Sequence, residues 1–402
     1  MKNIKILLCG LIVIQLSCRT NTKHTDSDPT PDPVFPQRVW SAVTPAIIKP
    51  GLSFTAPILY KNLVVVDQES SDTTFSHQYV WAYDRLTGEK KWQVDYPGAV
   101  TFSDVYHNEN VAVYSSGVML SAIDLDSGQK IWSIQKTGSV YVNGYENTLL
   151  HTVDYNSAAG PWSDSSGVFL TDIRNGHSRK VFTIKRTGNF CPGLAIPTMW
   201  LNGTDTVLFF QNRGIYDAKG FPGRVDLYAY NLSKSQIEWK IDSIEDVSSL
   251  VSKTTHLNGK LYFCGMRNVY CLSPQNGQII WKWRSNEQNA SMPTGNWYFS
   301  DNKIFVKPLC GVAYALNADS GQVLWSVRQS FGTNALNMSI YKGKLYQANW
   351  GDATINIVDV NSGLEVNKLK VDSANPISID PRNGYLYFHD YVKLNCFKLS
   401  SE

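Results

Sequence analysis

A frame of eleven residues recurs along this chain of 402 residues, and the repeat constrains the fold more than any other feature. The frame reads small-x-polar-x-x-x-Gly-x-x-x-Trp. It is complete in residues 82–92 (AYDRLTGEKKW), 122–132 (AIDLDSGQKIW), 271–281 (CLSPQNGQIIW) and 315–325 (ALNADSGQVLW). A period of about 40 to 60 residues is typical of a four-stranded blade, so the repeat predicts a β-propeller.

Three further copies of the frame are incomplete. Residues 229–239 keep the tryptophan but have Ser235 in the glycine place, whereas residues 170–180 and 357–367 keep the glycine and lose the tryptophan. The glycine place therefore occurs at positions 88, 128, 176, 235, 277, 321 and 363. These positions predict seven internal blades, of which the third and the seventh lack the tryptophan and are expected to be the weaker contacts in the ring.

The residue types in the frame have clear structural reasons. Glycine adopts the left-handed backbone conformation of a tight turn at little steric cost. The tryptophan falls on the following strand, where its large face is expected to pack against the next blade. The structural residues of the repeat are Trp40, Gly88, Trp92, Gly128, Trp132, Gly176, Trp239, Gly277, Trp281, Gly321, Trp325 and Gly363.

The two ends of the repeat region are expected to share one blade. Residues 375–402 contain three strand-like runs, and the glycine place of this unit falls at the last residue, Glu402. Residues 37–43 (QRVWSAV) resemble an isolated fourth strand with Trp40 in the tryptophan place. Joining the two segments predicts an all-β, eight-bladed propeller whose ring is closed by the N-terminal strand.

The N-terminus resembles a lipoprotein signal rather than part of a fold. Lys2 and Lys5 precede a short apolar run, which ends in Gln-Leu-Ser-Cys at Cys18. This pattern predicts a signal peptide over residues 1–18, lipidation of Cys18, a polar tether over residues 19–36 and a propeller over residues 37–402. The alternative is an ordinary exported protein in which Cys18 has no special role. Lipidation would anchor the protein to the membrane of the bacterial cell envelope, with the outer membrane favoured.

The repeat resembles that of the pyrroloquinoline-quinone-like (PQQ-like) propeller superfamily. The four complete frames carry this resemblance, and it extends over residues 37–402. The superfamily contains quinone-dependent dehydrogenases and cofactor-free binding lipoproteins, including the propeller lipoprotein of the outer-membrane β-barrel assembly machinery. An exported, lipidated propeller of this length is most similar to the second group. The resemblance implies a non-enzymatic scaffold that binds an envelope protein.

Other functions have less support in the sequence. The quinone enzymes have a vicinal cysteine pair, but no two cysteines are adjacent in this chain. The seven histidines are scattered without a metal-binding spacing, so no metal is predicted, and no cofactor is predicted either. No basic run indicates binding to nucleic acid. The alternatives to a scaffold are a small-molecule or glycan binder, or a quinone-dependent oxidoreductase.

Three insertions between second and third strands provide a candidate binding face. They span residues 67–78, 151–167 and 211–224 and are expected to emerge on the same side of the ring. Aromatic residues and arginine are the types that dominate binding hot spots. The candidate residues are Phe75, His77, Tyr155, Trp162, Arg213, Tyr216, Phe221 and Arg224. The alternative is that these loops pack only on themselves.

Five cysteines follow Cys18, and they are interpreted as small buried apolar residues. One alternative remains open at this point. Cys264 and Cys271 are close enough in sequence to face each other across a hairpin, and an exported protein would permit a disulfide between them.

Overall fold

The computed structural model describes residues 36–43, 55–71, 76–97, 104–116, 118–137, 142–156, 163–188, 190–216, 220–245, 254–287, 297–308, 310–328, 335–349, 353–372, 375–390 and 392–399. All of them belong to the second of two units into which the chain divides, Phe35–Glu402. The described residues form strands and turns only, and they include no helix of the length and apolarity needed to span a bilayer.

The 33 strands form eight antiparallel sheets, each a blade of the predicted propeller. Blade 1 comprises β2 (Ile58–Tyr60), β3 (Leu63–Ser71), β4 (Ser76–Asp84) and β5 (Lys90–Pro97). Blade 2 comprises β6 (Asp104–Asn108), β7 (Val111–Ser115), β8 (Met119–Asp124) and β9 (Lys130–Gln135). Blade 3 comprises β10 (Asn143–Tyr145), β11 (Thr148–Asn156), β12 (Ser163–Asp172) and β13 (Ser178–Lys185). Blade 4 comprises β14 (Phe190–Cys191), β15 (Leu194–Asn202), β16 (Asp205–Tyr216), β17 (Gly220–Asn231) and β18 (Gln236–Glu245). In blade 4 both β14 and β15 pair with β16, so its first strand is interrupted.

The second half of the ring has the same order. Blade 5 comprises β19 (Thr255–Leu257), β20 (Lys260–Cys264), β21 (Asn268–Leu272) and β22 (Ile279–Arg284). Blade 6 comprises β23 (Trp297–Ser300), β24 (Lys303–Val306), β25 (Val312–Asn317) and β26 (Val323–Arg328). Blade 7 comprises β27 (Ala335–Tyr341), β28 (Lys344–Asn349), β29 (Thr354–Asp359) and β30 (Glu365–Lys370). Blade 8 comprises β31 (Ile377–Asp380), β32 (Tyr385–Asp390), β33 (Lys393–Lys398) and, from the other end of the chain, β1 (Gln37–Val43).

The closure predicted from the sequence is confirmed. Strand β1 pairs antiparallel with β33 from Gln37 opposite Lys398 to Val43 opposite Lys393. The two chain ends therefore complete the eighth blade together. A closed ring leaves no long unpaired sheet edge between its first and last blades.

Most of the core lies at the seams between successive blades. Apolar side chains from the facing sides of two neighbouring blades form the buried clusters, as for Val65, Val80 and Ala82 of blade 1 with Ala112 and Tyr114 of blade 2. The last strand of a blade is more exposed, with half-buried positions alternating with exposed ones in β9 and β22.

Six seams share one tryptophan contact. The indole of one blade lies against the turn glycine of the next, in the pairs Trp40–Gly88, Trp92–Gly128, Trp132–Gly176, Trp239–Gly277, Trp281–Gly321 and Trp325–Gly363. A Cβ at any of these glycines would lie only 2.6–2.9 Å from the ring. Each indole N–H also donates a hydrogen bond of 2.7–3.2 Å to the carbonyl three residues before that glycine. Close approach of the ring, as well as the turn conformation, therefore requires glycine at these positions.

The small residue of the frame has its own role at the same seams. It lies directly opposite the tryptophan in the ladder, in the pairs Ala82–Trp92, Ala122–Trp132, Ala229–Trp239, Cys271–Trp281, Ala315–Trp325 and Cys396–Trp40. Opposite residues in an antiparallel pair project to the same side of the sheet. A small side chain therefore leaves room for the indole.

The disulfide alternative is wrong. The five cysteines of the described residues are buried and form no disulfide. In the β20–β21 hairpin Cys264 lies opposite Val269, and Cys271 lies opposite Tyr262. The register therefore separates the two sulfurs, and both side chains pack in the seam between blades 5 and 6.

Candidate binding face

Three blades have much longer second and third strands than the others. Strands β3 and β4 have 9 residues each, β11 and β12 have 9 and 10, and β16 and β17 have 12 each, whereas β20 and β21 have 5 each. Neighbouring antiparallel strands alternate in direction, so the second-to-third connection of every blade lies on the side of the ring that also carries the blade-to-blade connections. The extended ends of blades 1, 3 and 4, residues 67–78, 151–167 and 211–224, are called the inserted face below.

The inserted face differs from the sequence-based expectation in one respect. The three insertions were expected to be loops, but strands continue through most of their length, to Ser71 and from Ser76 in blade 1 and to Asn156 and from Ser163 in blade 3. Paired hairpins hold side chains in a fixed register more firmly than free loops do.

Six of the eight candidate residues lie on these strands. His77 is on β4, Tyr155 is on β11, Arg213 and Tyr216 are on β16, and Phe221 and Arg224 are on β17. Phe75 and Trp162 lie outside the described residues. Among the side chains that the structure describes, those of Tyr155, Arg213 and Arg224 belong to the candidate set.

Tyr155 is an exposed aromatic residue at the end of blade 3. Its side chain is 40 % exposed, and the Lys180 ammonium lies 5.6 Å from the centre of its ring. The pair combines an aromatic surface with a positive charge, a combination that suits contact with a protein partner.

Arg224 is held in place by two neighbours in blade 4. Its guanidinium lies 4.5 Å from the centre of the Phe190 ring, and its Nε lies 3.1 Å from Oδ1 of the buried Asp226. The Phe190 ring in turn lies directly over Gly214, where any Cβ would overlap the ring. The interrupted first strand of blade 4 thus supplies a rigid aromatic support for an arginine on the inserted face.

A layer of buried polar groups underlies the inserted face in blade 3. Burial raises the pKa of Asp154, although a hydrogen bond from Ser166 and the charges of Arg213 and Lys136 oppose the shift. Burial lowers the pKa of Lys136 to about 8, against the charge of Asp154. It lowers the pKa of His151 to about 3, so this imidazole is neutral at physiological pH.

Blade 1 has a similar buried group. Asp67 is fully buried and accepts hydrogen bonds from Thr55 Oγ1 and, at 3.0 Å, from Gln78 Nε2. Sequence reasoning missed these polar groups, although one signal was present. The apolar run 63–66 of β3 ends in Asp67, where a buried strand would otherwise continue with an apolar residue.

The fold and the repeat define a PQQ-like β-propeller. The family model described as outer membrane protein assembly factor BamB matches residues 38–176 and 223–380, and the chain belongs to this family. BamB of Yersinia pestis is 24 % identical over 417 aligned positions, which cover 95 % of this chain and 98 % of the relative.

Solved structures agree with the fold. The crystal structure of BamB from Moraxella catarrhalis matches with a TM-score of 0.59 at 13 % identity, covering 91 % of this chain and all of the other. A europium-containing methanol dehydrogenase matches with a TM-score of 0.63 at 13 % identity, covering 88 % of this chain and 84 % of the other. At this identity, both likenesses show the fold alone.

The residues of this chain do not fit the quinone site of the superfamily's enzymes. A vicinal disulfide cannot form, because no two cysteines are adjacent in the sequence. Within the described ranges, no group of three or more His, Cys, Asp or Glu side chains is arranged to hold a metal ion.

Proposed function

We propose that this protein is a non-enzymatic envelope lipoprotein that binds a protein partner through its inserted face and acts in the assembly of outer-membrane proteins. The observation that carries the proposal is the grouping of the three elongated hairpins on one side of a ring of eight blades. Membership of the BamB family supports the process, since the curated relative is described as an outer membrane protein assembly factor.

The arrangement suits a docking surface. The propeller is a rigid ring, so hairpins that project from one side keep their spacing when a partner binds, and less conformational entropy is lost. Tyr155 and Arg224 add aromatic surface and positive charge to that side. Rigid aromatic residues and arginine contribute most to binding when a partner excludes water from them.

The partner test uses variants on the two sides of the ring. Replacing Trp162 and Tyr216 together with alanine is expected to abolish recovery of partner proteins after crosslinking in intact cells, identified by mass spectrometry, while the thermal unfolding temperature is unchanged. The matched control replaces Leu86 and Tyr145, which are 62 % and 40 % exposed near turns on the opposite side. Equal recovery of the same partners with both variants would overturn the assignment of the face.

The lipid anchor has a separate test. We propose that Cys18 is acylated and that residues 19–36 tether the propeller to the outer membrane. Labelling cells with an alkyne fatty acid is expected to mark the natural protein and the Cys9→Ser variant but not Cys18→Ser. Labelling of Cys18→Ser would contradict the anchor without affecting the proposed face.

A further inference from the structure

A pocket of about 170 Å³ lies between blades 4 and 5, on the side of the ring opposite the inserted face. The residues that matter for its chemistry are Trp200, Asp205, Asn231, Lys234, Glu238 and Gln275. They come from the first hairpin and the last turn of blade 4 and from the last turn of blade 5.

Two other seams have a side-chain bridge at the corresponding position. In blades 5 and 6 the first residue of the second strand is a lysine that bridges to the turn of the next blade. Lys260 donates to Asp319, and Lys303 donates to Asn361 at 2.7 Å. Both acceptors lie two residues before the turn glycine.

Blade 4 lacks this lysine. Val207 pairs with Trp200 in the ladder, as Lys260 pairs with Leu257 and Lys303 pairs with Ser300. The residue two places before the turn glycine of blade 5 is Gln275, and valine cannot bridge to it. The seam between blades 4 and 5 therefore has no lysine bridge of this kind.

The first hairpin of blade 4 is also longer than those of blades 5 and 6 and borders one side of the pocket. It continues by two residues beyond the Trp200–Val207 pair to the Asn202–Asp205 pair. Trp200 is half-buried and stacks on Phe209, with 6.0 Å between the ring centres, and it lies 5.1 Å from the His256 ring. The pocket thus has a fixed aromatic side.

The polar side of the pocket is held by one buried amide. Asn231 is 1 % exposed, and its Nδ2 donates to Asp205 Oδ2 at 3.1 Å and to Glu238 Oε1 at 2.8 Å. Lys234 Nζ donates to the same Asp205 oxygen at 2.6 Å. Among the described residues, Asp205 Oδ1 and Glu238 Oε2 accept no hydrogen bond. Two carboxylate oxygens are therefore oriented by their partners and free to accept from a ligand.

This set of groups selects a ligand by its chemistry. An anion would meet two carboxylates, and a cation would compete with Lys234 for them. A wholly apolar ligand would cover the carboxylates without a partner, which is costly. A neutral ring with hydroxyl groups can place its C–H face on the indole and donate to both oxygens, and it has about the size of the pocket. We propose that this pocket binds one pyranose ring of a saccharide.

The test uses methyl glycosides of glucose, galactose, mannose and N-acetylglucosamine as probes on the full mature chain. Saturation-transfer NMR is expected to show contact with the ring protons of at least one probe, with a Kd of about 1 mM. Trp200→Ala and Glu238→Gln are each expected to weaken binding at least about tenfold, because they remove the aromatic side and one free acceptor.

Two further variants separate binding at the pocket from a folding effect. Val207→Lys introduces the lysine of blades 5 and 6 and is expected to abolish binding, with Glu238→Gln as the second measure if that variant does not fold. Tyr60→Ala changes the ladder equivalent of Trp200 in blade 1 and is expected to leave binding unchanged. Absence of signal from every glycoside, binding of choline or phosphate instead, or full binding by Glu238→Gln would overturn the proposal. None of these results bears on the inserted face.

Discussion

The six seams with a docked tryptophan differ from the two without it in more than one residue. In the six, an indole, a small residue opposite it and a glycine in the next blade occur together. In blade 7, Asn367 stands in the tryptophan place and the residue opposite it is Ile357. In blade 3, Lys180 stands in that place opposite Phe169, because the bulge lies two rungs further along the strand.

At the seam between blades 3 and 4, the turn of the second blade differs as well. The turn position of blade 4 is Ser235, which has a φ of 56°, and the preceding blade has Lys180 in the tryptophan place. The aromatic contact at this seam comes instead from Phe182, whose ring lies 4.9 Å from Phe210 and 5.1 Å from Tyr230. The three positions therefore behave as one unit spread over two blades. Ser235 shows that a residue with a side chain can adopt this backbone conformation, so the close approach of the ring is a second reason for glycine at the six positions that contact an indole.

The largest difference is expected from removing a docked indole. Trp325 is 8 % exposed and donates to the Val360 carbonyl at 3.0 Å, so Trp325→Ala should lower the free energy of unfolding by about 3–5 kcal/mol. Asn367→Ala, at the same place of a seam without the indole, should change it by less than about 0.5 kcal/mol. Chemical denaturation of the two variants provides the comparison, and similar losses would show that the indole contact is not what distinguishes the seams.

A smaller difference is expected at the turn. Gly128→Ala places a methyl group 2.6 Å from the Trp92 ring at a φ of 72°, and the overlap and backbone strain together should cost about 2–4 kcal/mol. Ser235→Ala, at a turn position that already has a side chain at a φ of 56°, should cost under about 0.5 kcal/mol. If Gly128→Ala costs less than about 2 kcal/mol in the same unfolding assay, no more than the left-handed backbone alone, turn conformation explains the glycine without the ring.

The seam geometry could be predicted from the sequence because the residues that form the contact all belong to one frame of eleven residues. Trp40 was assigned to the missing strand of blade 8 from its place in that frame, and β1 pairs with β33 as expected. The sequence located the three insertions but did not show that they are paired strands. Polar runs such as residues 67–78 have the composition of loops even where they pair as strands.

Contacts between distant parts of the chain could not be read in the same way. The register that places Cys264 opposite Val269 depends on the length of the turn, and the sequence alone left the cysteine pair open. The platform of Phe190 on Gly214 joins two segments of blade 4 that the repeat does not relate. The pocket beside Trp200 lies at a seam where blade 4 has Val207 in the position of Lys260 and Lys303, a difference that becomes visible once the ladders of the blades are aligned.

The central claim is that one closed ring is completed by a strand from the opposite end of the chain. Deleting residues 37–43 removes β1 and exposes the side of blade 1 on which Trp40 docks at Gly88. Thermal unfolding of this variant is compared with that of a variant lacking seven residues of the tether, 24–30. The deletion of β1 is predicted to lower the unfolding temperature by at least about 5 °C or to prevent folding, while the tether deletion has no effect. An unchanged unfolding temperature without β1 would contradict the closed ring.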